Sequence, residues 1–267
     1  MVYRAAEKTL THGSMKMDYI TFGTGTKPLV MLQGLNTRGI KGAANALALM
    51  YRVFAKSYKV YLFDRREDLS EGVTVRELAS DLAVAMDALG ISNADVFAVS
   101  QGGMIAQYLA IDRPDLVDRM VLAVTAARTN ETIKTVVDNW TAMTVRGEWK
   151  ALVADMAEKM YSDAYLKRYK PFLPLLTLLQ KPKDVQRFLI LAKACLTCEA
   201  YDELDRIQCP VFVIGGRNDQ VVGGKASEEL AEKLHCPVYL YEDLGHAAYE
   251  EAGDFNTRVL AFLQAAE

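Results

Sequence analysis

A chain of 267 residues, 51% hydrophobic and 24% charged, can bury a large core, and its charge content is that of a folded protein. Its 31 basic and 34 acidic residues leave a net charge of −3, which argues against a nucleic-acid-binding surface, though not against a local basic patch. The longest charge-free run, Val96–Ile111, is sixteen residues and polar at its centre. That falls short of the ~18–20 apolar residues of a membrane span. Met1–Lys8 lacks the apolar segment of a secretion signal, so the expected location is the cytoplasm.

In chain order, Thr11–Phe22 alternates loosely before Gly23-Thr24-Gly25 and reads as an antiparallel hairpin at a sheet edge. Leu29–Gln33 and Lys59–Phe63 are the first buried strands, followed by Asp95–Val99, Met120–Val124, Val211–Ile214 and Val238–Glu242. Continuous apolar runs of this length suit strands covered on both faces. Between them, Thr74–Leu89 sets Val75, Leu78, Leu82, Ala85, Met86 and Leu89 on one helical stripe, with Gly90 to end it. The alternation predicts an α/β fold with a mostly parallel, doubly wound sheet. From 129 to 198 the strands stop. Helical patterns at Thr132–Arg146, Trp149–Met160 and Asp184–Leu196, broken by Pro171, Pro174 and Pro182, predict a helical lid inserted between two strands. The expected division is a core of 1–128 and 199–267 with a lid of 129–198.

Ligands bind beyond the carboxyl ends of the strands in such sheets. The loops there carry Gly34-Leu35-Asn36, Ser100-Gln101-Gly102-Gly103, Gly215-Gly216-Arg217-Asn218-Asp219 and Asp243-Leu244-Gly245-His246. A nucleophile on a tight strand-to-helix turn needs small residues two positions either side. Ala98 and Gly102 supply them around Ser100, against the plainer reading of an ordinary strand-to-helix turn. Of three histidines, His12 falls in the hairpin and His235 at the amino end of a strand. His246 alone lies past the carboxyl end of one, 146 residues after Ser100. Asp219, 27 residues before it, is the preferred carboxylate to orient it. Asp243 would have to fold back on its own loop, and Asp64 leads into Arg65-Arg66, where ion pairing explains it.

With this order of serine, aspartate and histidine, the chain resembles the α/β-hydrolase superfamily, specifically its lidded serine hydrolases. The likeness spans about 11–127 and 199–265, including Asp64-Arg65 after the fourth strand and Tyr201–Pro210 leading into the strand before Asp219. It implies a catalytic triad of Ser100, His246 and Asp219, and an oxyanion hole from the backbone N–H groups of Leu35 and Gln101. Such families usually place His-Gly after the third strand; here the pair is Gln33-Gly34. Serine at position 100 points away from the dehalogenase and epoxide-hydrolase branches, whose nucleophile is a carboxylate. The expected activity is hydrolysis of a small-molecule carboxylic ester or thioester through an acyl-enzyme. C–C bond hydrolysis, acyl transfer and a slow-turnover small-molecule receptor stay open as alternatives. No cofactor or metal is called for, and Gly34-x4-Gly39 followed by Ile40 fails as a phosphate loop. The expected partner is the acyl substrate, with no nucleic acid or membrane; monomer and homodimer are both open.

Asn36, Trp140 and Tyr165 are candidate substrate contacts. Trp149, Tyr169, Phe172 and Leu173–Leu179 could join them in an apolar pocket, although aromatics at helical spacing more often pack a lid onto its core. Residues Tyr161–Cys198 carry seven basic and two acidic side chains. A solvated face paired with the acidic core is the plainer reading; a cationic mouth for an anionic substrate is the sharper one. Cys195-x-x-Cys198 is followed by Cys209 and Cys236, which are 27 residues apart. That favours reduced thiols as small apolar fillers over a four-ligand metal site.

Overall fold

The computed structural model describes residues 2–169 and 182–265. The apolar runs become the strands of one eight-stranded sheet: β1 (Ala6–His12), β2 (Met15–Phe22), β3 (Lys27–Leu32), β4 (Tyr58–Arg66), β5 (Ala94–Val99), β6 (Val117–Ala123), β7 (Val211–Gly216) and β8 (Val238–Tyr241). Their spatial order is β1-β2-β4-β3-β5-β6-β7-β8. The pairs from β4 to β8 are parallel, and β1 and β2 add an antiparallel hairpin at one edge.

Successive side chains of a strand point to opposite faces, and here both faces are covered. Val30, Leu32, Val96, Ala98 and Leu122 pack with Leu78, Leu82, Ile105 and Leu109, from α2 (Val75–Ala88) and α3 (Gln101–Asp112). Leu29, Met31, Phe97, Val99 and Val121 pack on the other face with Ala48, Phe255 and Val259, from α1 (Ala44–Met50) and the last helix (Phe255–Leu263). Double coverage is why the runs show no alternation. The α2 start is fixed by a capping box, in which Thr74 Oγ1 accepts from Glu77 N–H and the Glu77 carboxylate accepts from Thr74 N–H.

The hairpin turns at Gly13, whose φ of +58° favours glycine, so its first strand starts at Ala6 and not near Thr11. That strand is largely exposed and carries little apolar signal.

Between β6 and β7 the chain forms α4 (Glu131–Val145), α5 (Trp149–Met160), α6 (Asp163–Tyr169) and α7 (Val185–Ala194). Asn130 and Asp184 cap α4 and α7 by accepting from backbone N–H groups three residues on. A single antiparallel bridge, Arg128 to Glu199, joins the two strands of chain at the base of this insertion. Lys170, Pro171, Phe172, the Leu173–Leu179 run with Pro174, and Lys181 lie outside the described residues. After β7 come α8 (Ala226–Leu234), α9 (Ala248–Glu251) and α10 (Phe255–Leu263).

Candidate active site

Ser100 sits between β5 and α3 with φ 53° and ψ −121°, a backbone conformation that a non-glycine residue holds only when its surroundings fix it. They do. Its N–H donates to Ala123 C=O at 2.8 Å, and its own C=O accepts from Gly103 N–H at 2.8 Å and from Thr125 Oγ1 at 2.7 Å. Close approach to β3 requires the neighbouring glycines. A Cβ on Gly102 would lie 2.5 Å from Leu32 O, and one on Gly34 would lie 3.0 Å from Ser100 Cβ.

The Asp219 and His246 loops run backbone against backbone. Asn218 N–H donates to Leu244 C=O at 3.0 Å, and a Cβ on Gly216 would lie 2.3 Å from Gly245 O. Ala247 N–H donates to Met160 C=O at 2.8 Å, which ties the histidine loop to α5. The result brings three distant residues together. Ser100 Oγ is 2.9 Å from His246 Nε2, and His246 Nδ1 is 2.8 Å from Asp219 Oδ2. The other Asp219 oxygen accepts from the N–H groups of Val221 and Val222 at 2.8 and 2.9 Å. His246 and Asp219 are both buried. Asp243 is exposed. His12 lies exposed on β1, and His235 caps α8 with φ +49° at the amino end of β8.

Asp64 departs from the sequence reading. It lies within β4 and makes no ion pair with Arg65 or Arg66 among the described residues: the Arg65 side chain leaves from the opposite face, and Arg66 pairs with Asp81. Its carboxylate accepts from the backbone N–H groups of Arg65 and Ile40 at 2.7 and 3.3 Å and pairs with Arg187 of α7 at 3.3 Å. Arg187 also donates to the carbonyls of Arg65 and Arg66 at 2.9 and 2.5 Å. The insertion is thus clamped to the end of β4. Arg187→Ala removes these charge-assisted bonds and is expected to lower unfolding stability by about 2 kcal/mol in urea titration. A change near zero would show that the clamp carries no load.

Arg65 is buried, and burial pulls its guanidinium down to about 10, still protonated at neutral pH. It donates to Gln33 C=O at 2.7 Å and to Gln101 Oε1 at 3.2 Å. Gln101 Nε2 in turn donates to Leu191 C=O of α7 at 2.6 Å and to Cys195 Sγ at 3.2 Å. Sequence reasoning missed this network, because bonded partners within it are separated by up to ninety-four residues.

All four cysteines are free, and burial pushes Cys195 and Cys236 up to about 11 and Cys198 and Cys209 up to about 12. Such thiols stay protonated at neutral pH. Among the described residues no group of three or more His, Cys, Asp or Glu is placed to hold a metal.

A cavity of about 600 Å³ opens over Ser100 and His246, between the sheet edge and α4, α5 and α6. Leu35, Asn36, Trp140 and Tyr165 line it, as do Tyr161, Tyr249 and Glu250, which the sequence reading did not single out. For Tyr249 and Glu250 the available signal was their spacing of three and four residues from His246; Tyr161 carried none. Asn36 Oδ1 accepts from Gly39 N–H at 2.7 Å and shapes its own loop, and Trp140 Nε1 donates to Asp155 at 2.7 Å. Trp149 packs against the core.

Comparison with known proteins agrees on the fold. The family profile of the alpha/beta hydrolase fold matches residues 27–173. The chain is 24% identical over 265 residues to 3-oxoadipate enol-lactonase 2 of Acinetobacter baylyi, covering 96% of each chain. Among solved structures, it superimposes with a TM-score of 0.85 on MGS-M2, an alpha/beta hydrolase enzyme from a Medee basin deep-sea metagenome library, at 22% identity over 97% of this chain and 98% of that one. An enol-lactonase from Burkholderia xenovorans LB400 gives a TM-score of 0.84 at 20% identity, covering 97% and 100%.

Proposed function

The chain belongs to the alpha/beta hydrolase fold family, and from that premise we propose that it hydrolyses small-molecule carboxylic esters through an acyl-enzyme on Ser100. The observation that carries this reading is the unbroken line of short contacts from Ser100 Oγ through His246 to Asp219. An ionised Asp219 only accepts, so Nδ1 of His246 carries the proton and Nε2 presents a lone pair to the serine hydroxyl. His246 then takes the Ser100 proton as Oγ attacks the substrate carbonyl, and returns it to the leaving alcohol. Water enters and gives a proton to the same nitrogen as its oxygen adds to the acyl carbon; the bond from that carbon to Ser100 Oγ then breaks, Oγ takes the proton back, and the acid leaves.

The negative charge that develops on the carbonyl oxygen is met by the backbone N–H groups of Leu35 and Gln101. Gln101 opens α3, so the helix dipole adds to its donor. One such donor is typically worth about 3–4 kcal/mol in the transition state. In this role Arg65 is a positioning residue: it holds Gln33 C=O and the Gln101 side chain, one on each side of the hole. The residues 129–198 act as a cap over the core of 1–128 and 199–267. The relatives named enol-lactonases, whose name denotes a cyclic ester, support the substrate class.

A fluorophosphonate is expected to add one label per chain, located by mass spectrometry on the peptide that contains Ser100. An activated ester is expected to give a burst of about one equivalent and then steady turnover. Labelling elsewhere, or tight ligand binding with no multiple turnover, would replace this reading with that of a small-molecule receptor.

A further inference from the structure

Glu250 lines the cavity that holds Ser100 and His246, and the hydrolytic steps give it nothing to do. One carboxylate oxygen accepts from Tyr161 Oη at 2.6 Å, and Tyr249 lines the cavity beside it. Its accessible area is that of an exposed residue, yet loss of hydration is the foremost cause raising its carboxyl above the usual range. Both follow when the open side of the carboxylate faces the cavity and not bulk water. A carboxylate offers about four lone-pair sites, so the Tyr161 phenol leaves acceptor capacity for a ligand.

The surroundings narrow the kind of ligand. Tyr161 and Tyr165 stack with centroids 4.7 Å apart, and both line the cavity alongside Tyr51 and Tyr249. Burial raises the phenols of Tyr51, Tyr161 and Tyr249, so they stay neutral. Val136, Met156 and Val221 represent the apolar walls; among the described residues that line the cavity, Arg38 is the one arginine or lysine. An anionic acceptor among aromatic faces in an apolar cavity is the combination that binds alkylammonium groups. A carboxylate substituent brought to the same place would meet like charge at low dielectric.

Resting on the ester-hydrolase reading, we propose that Glu250, with Tyr161, Tyr165 and Tyr249, forms a subsite for an alkylammonium group carried by the ester substrate. This places the selective charge inside the cavity with a sign opposite to that of a cationic mouth. Arg187, one of the seven basic residues behind that idea, is occupied by Asp64 and by strand carbonyls.

The test uses three esters of one chain length that end in trimethylammonium, in its neutral tert-butyl isostere and in carboxylate. The ammonium ester is expected to exceed the neutral one in kcat/KM by about tenfold, mainly through KM. Glu250→Gln is expected to bring that ratio to within about twofold of unity. Equal ratios in the native chain, or a ratio that survives Glu250→Gln, would overturn the subsite. Preference for the carboxylate ester would assign the selectivity to Arg38 and overturn it too. Calorimetric titration of Ser100→Ala with butyltrimethylammonium and its neutral isostere separates the two readings. Selective binding that vanishes in the Ser100→Ala/Glu250→Gln pair, with no ester hydrolysed by the native chain, would sustain the subsite while ending the hydrolase reading. Absence of selective binding would end the subsite whatever the chain hydrolyses.

Discussion

Replacing Asp219 by asparagine is expected to lower kcat on an activated ester about 10⁴-fold while the chain still folds. The size of the loss follows from the way the carboxylate is held. One Asp219 oxygen accepts from Val221 and Val222 N–H, and the other faces His246 Nδ1. An asparagine keeps its carbonyl oxygen on the two backbone donors, because its NH₂ group cannot accept them. The NH₂ is then left against Nδ1. A donor there forces Nδ1 to accept and moves the ring proton to Nε2, where it faces Ser100. The serine loses its base although no atom has moved far. Fluorophosphonate labelling should slow in parallel, and the melting temperature should stay near that of the native chain. Loss of less than about tenfold would mean that the imidazole takes its tautomer from another group.

The same residues show what could be read without coordinates. The strands β3 to β7 were legible because helices cover both faces, so that Leu29 and Val30, or Phe97 and Ala98, are adjacent in sequence and buried on opposite sides. The serine turn was legible for a steric reason. Ala98 and Gly102 are small where strand and helix converge, and few residue types fit there. Scarcity did the rest, since three histidines in three environments leave one at the rim. The first strand was only partly legible, because Ala6–His12 is an edge strand with most of its side chains in solvent.

The partnerships of Asp64 and Gln101 were not legible at all. Asp64 meets Arg187 across 123 positions, and Gln101 meets Cys195 across 94. Neighbouring arginines offered a local explanation for Asp64, but Arg65 leaves the strand on the opposite face and Arg66 is taken by Asp81. Glu250 was hidden by its type. A glutamate next to another glutamate near the chain end reads as surface, and only the packing of α5 and α6 turns that position into a cavity wall.

Gly102→Ala is expected to destabilise the chain by about 3–5 kcal/mol, a fall in Tm on the order of 10 °C. Overpacking is usually cheaper than this because a flexible side chain yields. Here the added Cβ would stand 2.5 Å from Leu32 O and 2.7 Å from Gln33 O, both backbone atoms at the end of β3. Relief therefore requires that either β3 or α3 shift. A shift of β3 carries Gly34 and Leu35 away from Ser100, and a shift of α3 releases the strained turn that aims the Ser100 hydroxyl at His246. The fraction that stays folded should accordingly label more slowly with fluorophosphonate, so stability and chemistry fall together. Gly253→Ala supplies the contrast: a Cβ there meets nothing within 4 Å, and stability should change by less than about 0.5 kcal/mol. A Gly102→Ala protein that melts and labels like the native chain would mean that strand and helix do not converge as closely as the serine turn demands.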